Sequence, residues 1–409
     1  MLFEQFTSAF GVNFSAAFDI LGRTVFIWLP LLSGTALFHT WINYTRARWI
    51  RGQGSALLEI KLPVEIMRSP AAMELVLTQL YQASPPTYTE AYFSGQVRPW
   101  FSLEIVSLGG EVHFYIWTHR KFKKLVETQI YSQYPDVEIY EVEDYAKKLP
   151  FDPENYPFWA TYFKLTKADA YPIKTYIEYG LDKDPKEEYK IDPLASVTEY
   201  LGSIKKGEQA WIQIIIRGHR KTGLKDVQFN APDWTGGVTD EIKKIMEDAV
   251  TDKEKQQPSM MLLDEEQKNL VNSMRRNLGK FAFDTIVRAF YIAEKGNFEA
   301  ANIAGLISCV RQFSSGTRNG FRLGKRTTFD YPWQDFHNIR RRTRERRMLD
   351  AYKHRSFFYA PHARYQASSY IFTTEELATM YHFPGQVVST PTITRITSKK
   401  AEAPSNLPV

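Results

Sequence analysis

Phe101-Ser-Leu-Glu-Ile-Val-Ser-Leu-Gly-Gly-Glu-Val-His-Phe-Tyr-Ile-Trp117 is the stretch from which the architecture follows. Apolar residues recur with a strand-like period on either side of Gly109-Gly110. A glycine pair supplies the positive φ of a tight hairpin turn, so the stretch is expected to form two antiparallel strands. Upstream, Leu57-Leu-Glu-Ile-Lys-Leu-Pro63 alternates in the same way. Ser69-Pro70 then offers an N-cap with proline at the first helical position, followed by Met73, Val76, Leu77 and Leu80 at helical spacing. Downstream, Phe122, Leu125, Val126, Gln129 and Ile130 share one side of a helix, and Val137-Glu-Ile-Tyr-Glu-Val142 is a further strand. The order is β-α-β-β-α-β, that of a ferredoxin-like unit over 57–150. Two helices are expected on one face of its sheet, with the other face free for a partner.

A second pass gives the same order. Trp159-Ala-Thr-Tyr-Phe-Lys-Leu-Thr166 is a strand. Asp192-Pro193 caps a helix carrying Leu194, Val197, Leu201 and Ile204. Gly207 to Arg217 and Phe283 to Ala293 are apolar strands, a helix is expected from about 297 to 313, and a last strand over 321–330. Residues 220–280 form an insertion between the middle strands. It opens with the turn-forming Asp233-Trp-Thr-Gly-Gly and contains two charged helical segments, joined by a linker at 252–258. Its stripe of Ile242, Ile245 and Met246 is read either as packing on the parent domain or as a partner site. The fold class is therefore α+β, with a second ferredoxin-like domain over 151–335.

The N-terminal part is different. From Thr24 to Ile42 the chain is apolar and uncharged, and Phe26, Trp28, Trp41 and Tyr44 stand near its ends. A helix needs about 20 such residues to cross ~30 Å of hydrocarbon, and aromatic rings favour the bilayer interface. A transmembrane helix over 24–44 is the expectation, with a short extracytoplasmic segment at 1–23 and a basic linker at 45–56. Arg46, Arg48 and Arg51 place the bulk of the chain in the cytoplasm by the positive-inside rule, as a single-pass protein of the cell (inner) membrane. A cleaved signal peptide, a buried core helix (Pro30 and His39 weaken the span) and a helix lying flat on the membrane are the competing readings. The start Met1-Leu-Phe-Glu-Gln lacks the basic residues of a signal peptide.

Composition sets further bounds. At 44% hydrophobic, 24% charged and 14% aromatic the chain is globular. One cysteine, Cys309, excludes an intramolecular disulfide framework, and its apolar helical setting points to a buried, inert thiol. A formal charge of +6 permits contact with nucleic acid or anionic lipid without demanding either.

Catalytic signals are poor. The eight histidines show no metal-ligand spacing, no cofactor is expected, and the chain is read as non-enzymatic. Asn319-Gly-Phe-Arg-Leu-Gly324-Lys325-Arg326 comes closest to a phosphate loop. It has Asn319 where the first glycine belongs and Arg326 where magnesium-holding Ser or Thr belongs. The basic signal is sharper. Arg340, Arg341, Arg342, Arg344, Arg346 and Arg347 fill six of eight positions. Ion pairing with a partner or with this chain, phosphates of nucleic acid and phosphates of lipid are the three readings of that cluster.

Phe372-Thr-Thr-Glu-Glu-Leu-Ala-Thr-Met-Tyr-His-Phe-Pro-Gly385 resembles the region ahead of the motor in bacterial type IV secretion and conjugation-like membrane-associated ATPases of the HerA/FtsK superfamily. The run Thr390 to Pro408, Gly207-Glu-Gln-Ala-Trp-Ile-Gln, Val287-Arg-Ala-Phe-Tyr-Ile-Ala, Asn319-Gly-Phe and Val126 to Pro135 fit the same order, so the resemblance spans most of 55–408. In that family a Walker A motor follows; here the chain stops at Val409. The resemblance implies a non-catalytic platform or accessory protein of a translocation ATPase, with the ATPase a separate polypeptide, or else a fragment lacking its motor. DNA or protein as cargo would follow from the family alone. A basic helix and C-terminal segment at 336–409 would dock the motor through Glu375, Leu377, Met380, Tyr381, His382, Phe383 and Pro384, and a motor ring implies a homo-oligomer. Packing of that segment on the chain's own second domain is the competing reading. The alternative function is a membrane-tethered nucleic-acid-binding protein that works without a motor.

Overall fold

The computed structural model describes residues 19–20, 22–63, 68–182, 191–220, 234–248, 263–359, 361–363, 367–385 and 395–396. Most of the expected extracytoplasmic segment, the linker at 252–258 and most of the closing run from Thr390 lie outside the described residues. The expected turn at Asp233-Trp-Thr-Gly-Gly is corrected: from Trp234 onward its residues are the first turn of a helix, Trp234–Asp248.

Among the described residues the first long element is α1 (Val25–Gln53), long and apolar enough to span a membrane. The expected basic linker at 45–56 is corrected: residues 45–53 continue the helix, and β1 begins at Ser55. Trp49 lies against His119, their ring centroids 6.5 Å apart, so the last turns of α1 are held by packing rather than released as linker.

The elements of the first half are β1 (Ser55–Pro63), α2 (Pro70–Gln79), β2 (Phe101–Leu108), β3 (Glu111–His119), α3 (Lys123–Gln133), β4 (Glu138–Val142) and the short α4 (Tyr145–Lys148). The caps follow the sequence. Ser69 accepts from the Ala71 amide at the start of α2, and Gly109 and Gly110 take φ of +65° and +98° in the β2–β3 turn. In the second half come β5 (Phe158–Leu165), α5 (Pro193–Gly202), β6 (Glu208–Gly218), α6 (Trp234–Asp248), α7 (Glu265–Leu278), β7 (Ala282–Ala293), α8 (Ala300–Ser308) and β8 (Phe321–Arg326). Asp192 caps α5 by accepting from the Leu194 amide. The last elements are α9 (Ile339–Lys353), β9 (Tyr370–Thr373), α10 (Thr374–Met380) and β10 (Arg395–Ile396).

Strand order is β4-β1-β3-β2 in the first half and β6-β7-β5-β8 in the second. The two halves are joined edge to edge: β2 pairs antiparallel with β6, from Phe101 opposite Ile216 to Leu108 opposite Gln209. The result is one large sheet, antiparallel except for the β1–β10 pair, with β9 added beside β7. One contiguous apolar core runs through both halves.

The sheet face expected to be free is covered. Nearly every residue of β2, β6 and β7 is buried. Phe114 meets Tyr381 and Phe383, which follow α10, on one face. On the other, Trp211 meets Tyr145 of α4 and Tyr352 of α9. Full burial of one such aromatic contributes roughly 1.5–3 kcal/mol, so these covering elements belong to the stable body.

A polar row crosses the covered interior. Register places Glu104 opposite Gln213, and Gln213 opposite Arg288. Gln213 Nε2 donates to Glu104 (2.6 Å), and Arg288 Nε donates to Gln213 Oε1 (2.5 Å). Arg355, just past α9, closes the row by donating to both Glu104 oxygens at 2.9 and 3.0 Å and to Asp144 at 2.5 Å. Tyr145 donates to Glu104 at 2.7 Å. Burial opposes ionisation of Glu104, yet the guanidinium and the donors around it hold its pKa below the ordinary value. The hub thus ties β2 and α4 of one half to β6 and β7 of the other.

The inserted helices form a satellite core of Trp234, Val238, Ile242, Val271 and Met274, with Ile245 and Met246 packed on it. The stripe is used for packing on the parent body.

Candidate functional site

The arginine cluster begins where α9 begins. His337 and Asn338 both take positive φ, and Asp335 accepts from the Arg340 and Arg341 amides at 2.8 and 2.7 Å. A carboxylate there satisfies open backbone donors and favours the positive helix end. The six side chains then divide. Arg341 donates to Glu345 at 2.8 Å, and burial raises the pKa of Glu345. Arg344 donates to the Arg326 carbonyl at 2.8 Å and lies 4.0 Å from the Phe329 ring centroid. Arg344 is thus tied to the β8 edge, and Arg341 to its own helix. Arg340, Arg342, Arg346 and Arg347 are exposed. Arg342 reaches Glu154 at 3.6 Å, but both side chains are well solvated, and such a pair contributes about 0–1 kcal/mol.

An open cleft of about 510 Å³ lies between the end of β8 and the start of α9, lined by Lys325, Arg326, Thr328, Asp330, Arg340 and Arg344 among others. It brings the failed phosphate loop and the arginine cluster together. Gly324-Lys325-Arg326 lies on a strand, not a loop, so it does not form a phosphate cradle. Gly324 is explained by packing: a Cβ there would stand 2.6 Å from the Tyr162 carbonyl oxygen. What remains is a cationic cleft with Asp330 paired to Arg326.

Aromatic residues adjoin it. Tyr331 and Trp333 stack with centroids 4.5 Å apart and planes 11° apart. They are 51% and 65% exposed, and Phe336 is 72% exposed. Large apolar rings left in water beside arginines mark a contact surface. Sequence reading missed these rings because no periodicity marks them; their proximity to six arginines was the available signal.

The face also has a definite place. α1 meets the strand ends near His119, while Arg342 meets Glu154, ahead of β5 at the opposite strand ends. β8 is the sheet edge, six strand steps from β1, or roughly 29 Å at ~4.8 Å per step.

The other expected docking set is corrected. Glu375, Leu377, Met380, Tyr381, His382, Phe383 and Pro384 are all buried within this chain. Glu375 accepts from Thr175, Arg276 and Lys280 at 2.6–2.9 Å. His382 pairs with Asp192 at 3.1 Å, which raises the histidine pKa against the effect of burial and lowers that of the aspartate. Leu377, Tyr381 and Phe383 belong to the main core and point into this chain. Cys309 is buried as well, and burial pushes its thiol up to about 12. Among the described residues no group of three or more His, Cys, Asp or Glu side chains is placed to hold a metal.

No curated protein matches the chain. The model of a family described as "Domain of unknown function (DUF8128)" matches residues 75–395, from within α2 to β10. That span is most of the 409 residues, and the chain belongs to this family.

Proposed function

We propose that this protein is a membrane-anchored, non-catalytic platform that presents a basic, aromatic face to a translocation ATPase of the type IV secretion or conjugation-like class. One observation carries the reading: exposed arginines and stacked rings sit on a stable body, away from the strand ends that α1 touches. α1 is the single-pass anchor, with the body on the cytoplasmic side of the inner membrane. Each half is read as a ferredoxin-like unit, β1-α2-β2-β3-α3-β4 and β5-α5-β6-β7-α8-β8, supported by their mirrored strand orders. Docking moves from the 375–384 segment to the α9 face, because only the latter is exposed. The motor and its class rest on the sequence resemblance, and a ring-forming motor implies several copies of this chain.

The test is co-purification from native membranes with ATPase activity read in the eluate. Full-length protein should carry the activity, and charge reversal at Arg340, Arg342, Arg346 and Arg347 should remove it at unchanged membrane content. Equal ATPase recovery with both proteins would contradict the assignment of the face.

A second reading has its own support. The Tyr331–Trp333 stack beside arginines is the arrangement on which single-stranded bases stack. It predicts salt-sensitive binding of oligonucleotides by the purified chain without an ATPase.

A further inference from the structure

The turn at Glu90–Ser94 is fixed to α1 but shows its rings to the outside. Glu90 accepts from the Thr87 amide and hydroxyl at 2.8 and 2.7 Å, which shapes the turn. The Trp41 indole N–H donates to the Tyr92 carbonyl at 2.9 Å, and the Phe38 and Tyr92 rings lie 5.9 Å apart. Gly95, at φ +70°, lies directly on the α1 backbone: a Cβ there would fall 2.2 Å from the Thr45 carbonyl carbon. The turn is therefore seated on the helix. Yet Phe93 is 72% exposed and Tyr88 50%, beside Trp41 at 46% and Tyr44 at 56%.

We infer that residues 88–95 form a second membrane contact, in which Phe93 and Tyr88 enter the bilayer interface beside α1 and fix the tilt of the body. The inference rests on the reading of α1 as the membrane anchor. Three observations identify the bilayer as the occupant. The turn is continuous with the exposed apolar surface of α1 that runs from Phe26 to Trp41. From Thr24 to Trp41 a helix rises about 26 Å at ~1.5 Å per residue, close to the ~30 Å hydrocarbon thickness. That places Trp41, Tyr44 and the turn at the headgroup level, where amphipathic rings concentrate. Finally, an open cleft of about 390 Å³ lined by Trp41, Tyr44, Arg48, Trp49 and Phe93 puts an exposed guanidinium beside the rings. Arg48 there meets a lipid phosphate while Phe93 and Trp41 meet the glycerol and upper acyl chain.

The test uses full-length protein with Cys309→Ala, in nanodiscs of phosphatidylcholine and phosphatidylglycerol. Nitroxides are placed singly at Leu29→Cys, Phe93→Cys and Glu111→Cys, the last at the exposed start of β3, at the opposite strand ends. Collision with oxygen and with a water-soluble nickel chelate is measured. The label at 93 should resemble that at 29, with nickel collisions several-fold below those at 111. A label at 93 as nickel-accessible as that at 111, with 29 still lipid-exposed, would overturn the second contact and leave the anchor standing. Nickel access at 29 would remove the anchor and the inference together. As an independent readout, Phe93→Asp changes an exposed position, so the fold is retained. It should raise the rotational rate of the label at 111 several-fold, and an unchanged rate would overturn the inference.

Discussion

The two ends of α9 use the same residue type in opposite ways. In its first turns Arg342, Arg346 and Arg347 stand in solvent. Just past its last turn Arg355 is enclosed, bidentate to Glu104 and bonded to Asp144. Removing water from a guanidinium costs several kcal/mol, recovered only when its donors are matched. Arg355 is matched by Glu104 and Asp144 of the first half, and Glu104 in turn accepts from Gln213 across the seam between the half-sheets, so the guanidinium supports the join. The solvated arginines face no such demand and lie on the exposed surface of the helix. The number of arginines in a segment therefore says little; the surroundings of each decide whether it is structural or interactive.

The largest effect should come from breaking the enclosed end. Arg355→Met leaves Glu104 buried without its charge partner, and should cost about 3–5 kcal/mol in urea unfolding of the detergent-solubilised chain. A loss below ~1 kcal/mol would erase the contrast. Adding Glu104→Gln should recover part of the loss, since the uncompensated charge is then gone.

Acid should act at the buried end as well. Burial against Trp49, Trp100 and Trp117 pushes His119 down to about 4 from its ordinary 6.5. Between those values the unfolded chain binds a proton that the folded chain refuses, so stability falls as pH drops from 6.5 towards 4. The slope is up to about 1.4 kcal/mol per pH unit. His382 works the other way: Asp192 raises its pKa, so its contribution is full below 6.5 and fades as pH rises through its folded value. Urea unfolding at pH 6.5 and 4.5 should show a smaller fall for His119→Phe than for the unaltered chain. Equal falls would assign the acid sensitivity to other groups.

At the solvated end, alanine at Arg342, Arg346 and Arg347 should change stability by no more than about 0.5 kcal/mol each, while weakening partner recovery and its salt dependence. Trp333→Ala should be smallest in stability, because the ring is already 65% exposed. It also separates the two functional readings. A loss of about 1–3 kcal/mol in oligonucleotide affinity follows if the ring stacks on bases, and no loss follows if nucleic acid is not the ligand.

Much of the local structure was legible. Gly109-Gly110 between two apolar runs marked the hairpin, and Ser69-Pro70 and Asp192-Pro193 marked helix starts, because turn and cap chemistry is local. The β2–β6 join was not legible, since nothing in an apolar strand names its neighbour. The polar hub was hidden for a related reason. Glu104, Gln213 and Arg288 each look like single polar positions in apolar strands, and their closing partner Arg355 lies 251 residues from Glu104. The segment at 375–384 was expected to dock a motor because the resemblance places it just ahead of one, and no local pattern shows that its glutamates have buried partners. Arg276 and Lys280, about 100 residues earlier, neutralise Glu375 and let the segment go inside. The arginines at 340–347 were found by count, but only the fold shows which four of the six are outside.

The most direct measurement places a photo-cross-linking residue at Trp333 of the full-length protein in native membranes and identifies what it captures. The account predicts capture of a P-loop ATPase, lost when Arg340, Arg342, Arg346 and Arg347 are reversed in charge. Capture of lipid alone, or of nothing, would contradict the claim that this end of the molecule is a partner-facing surface.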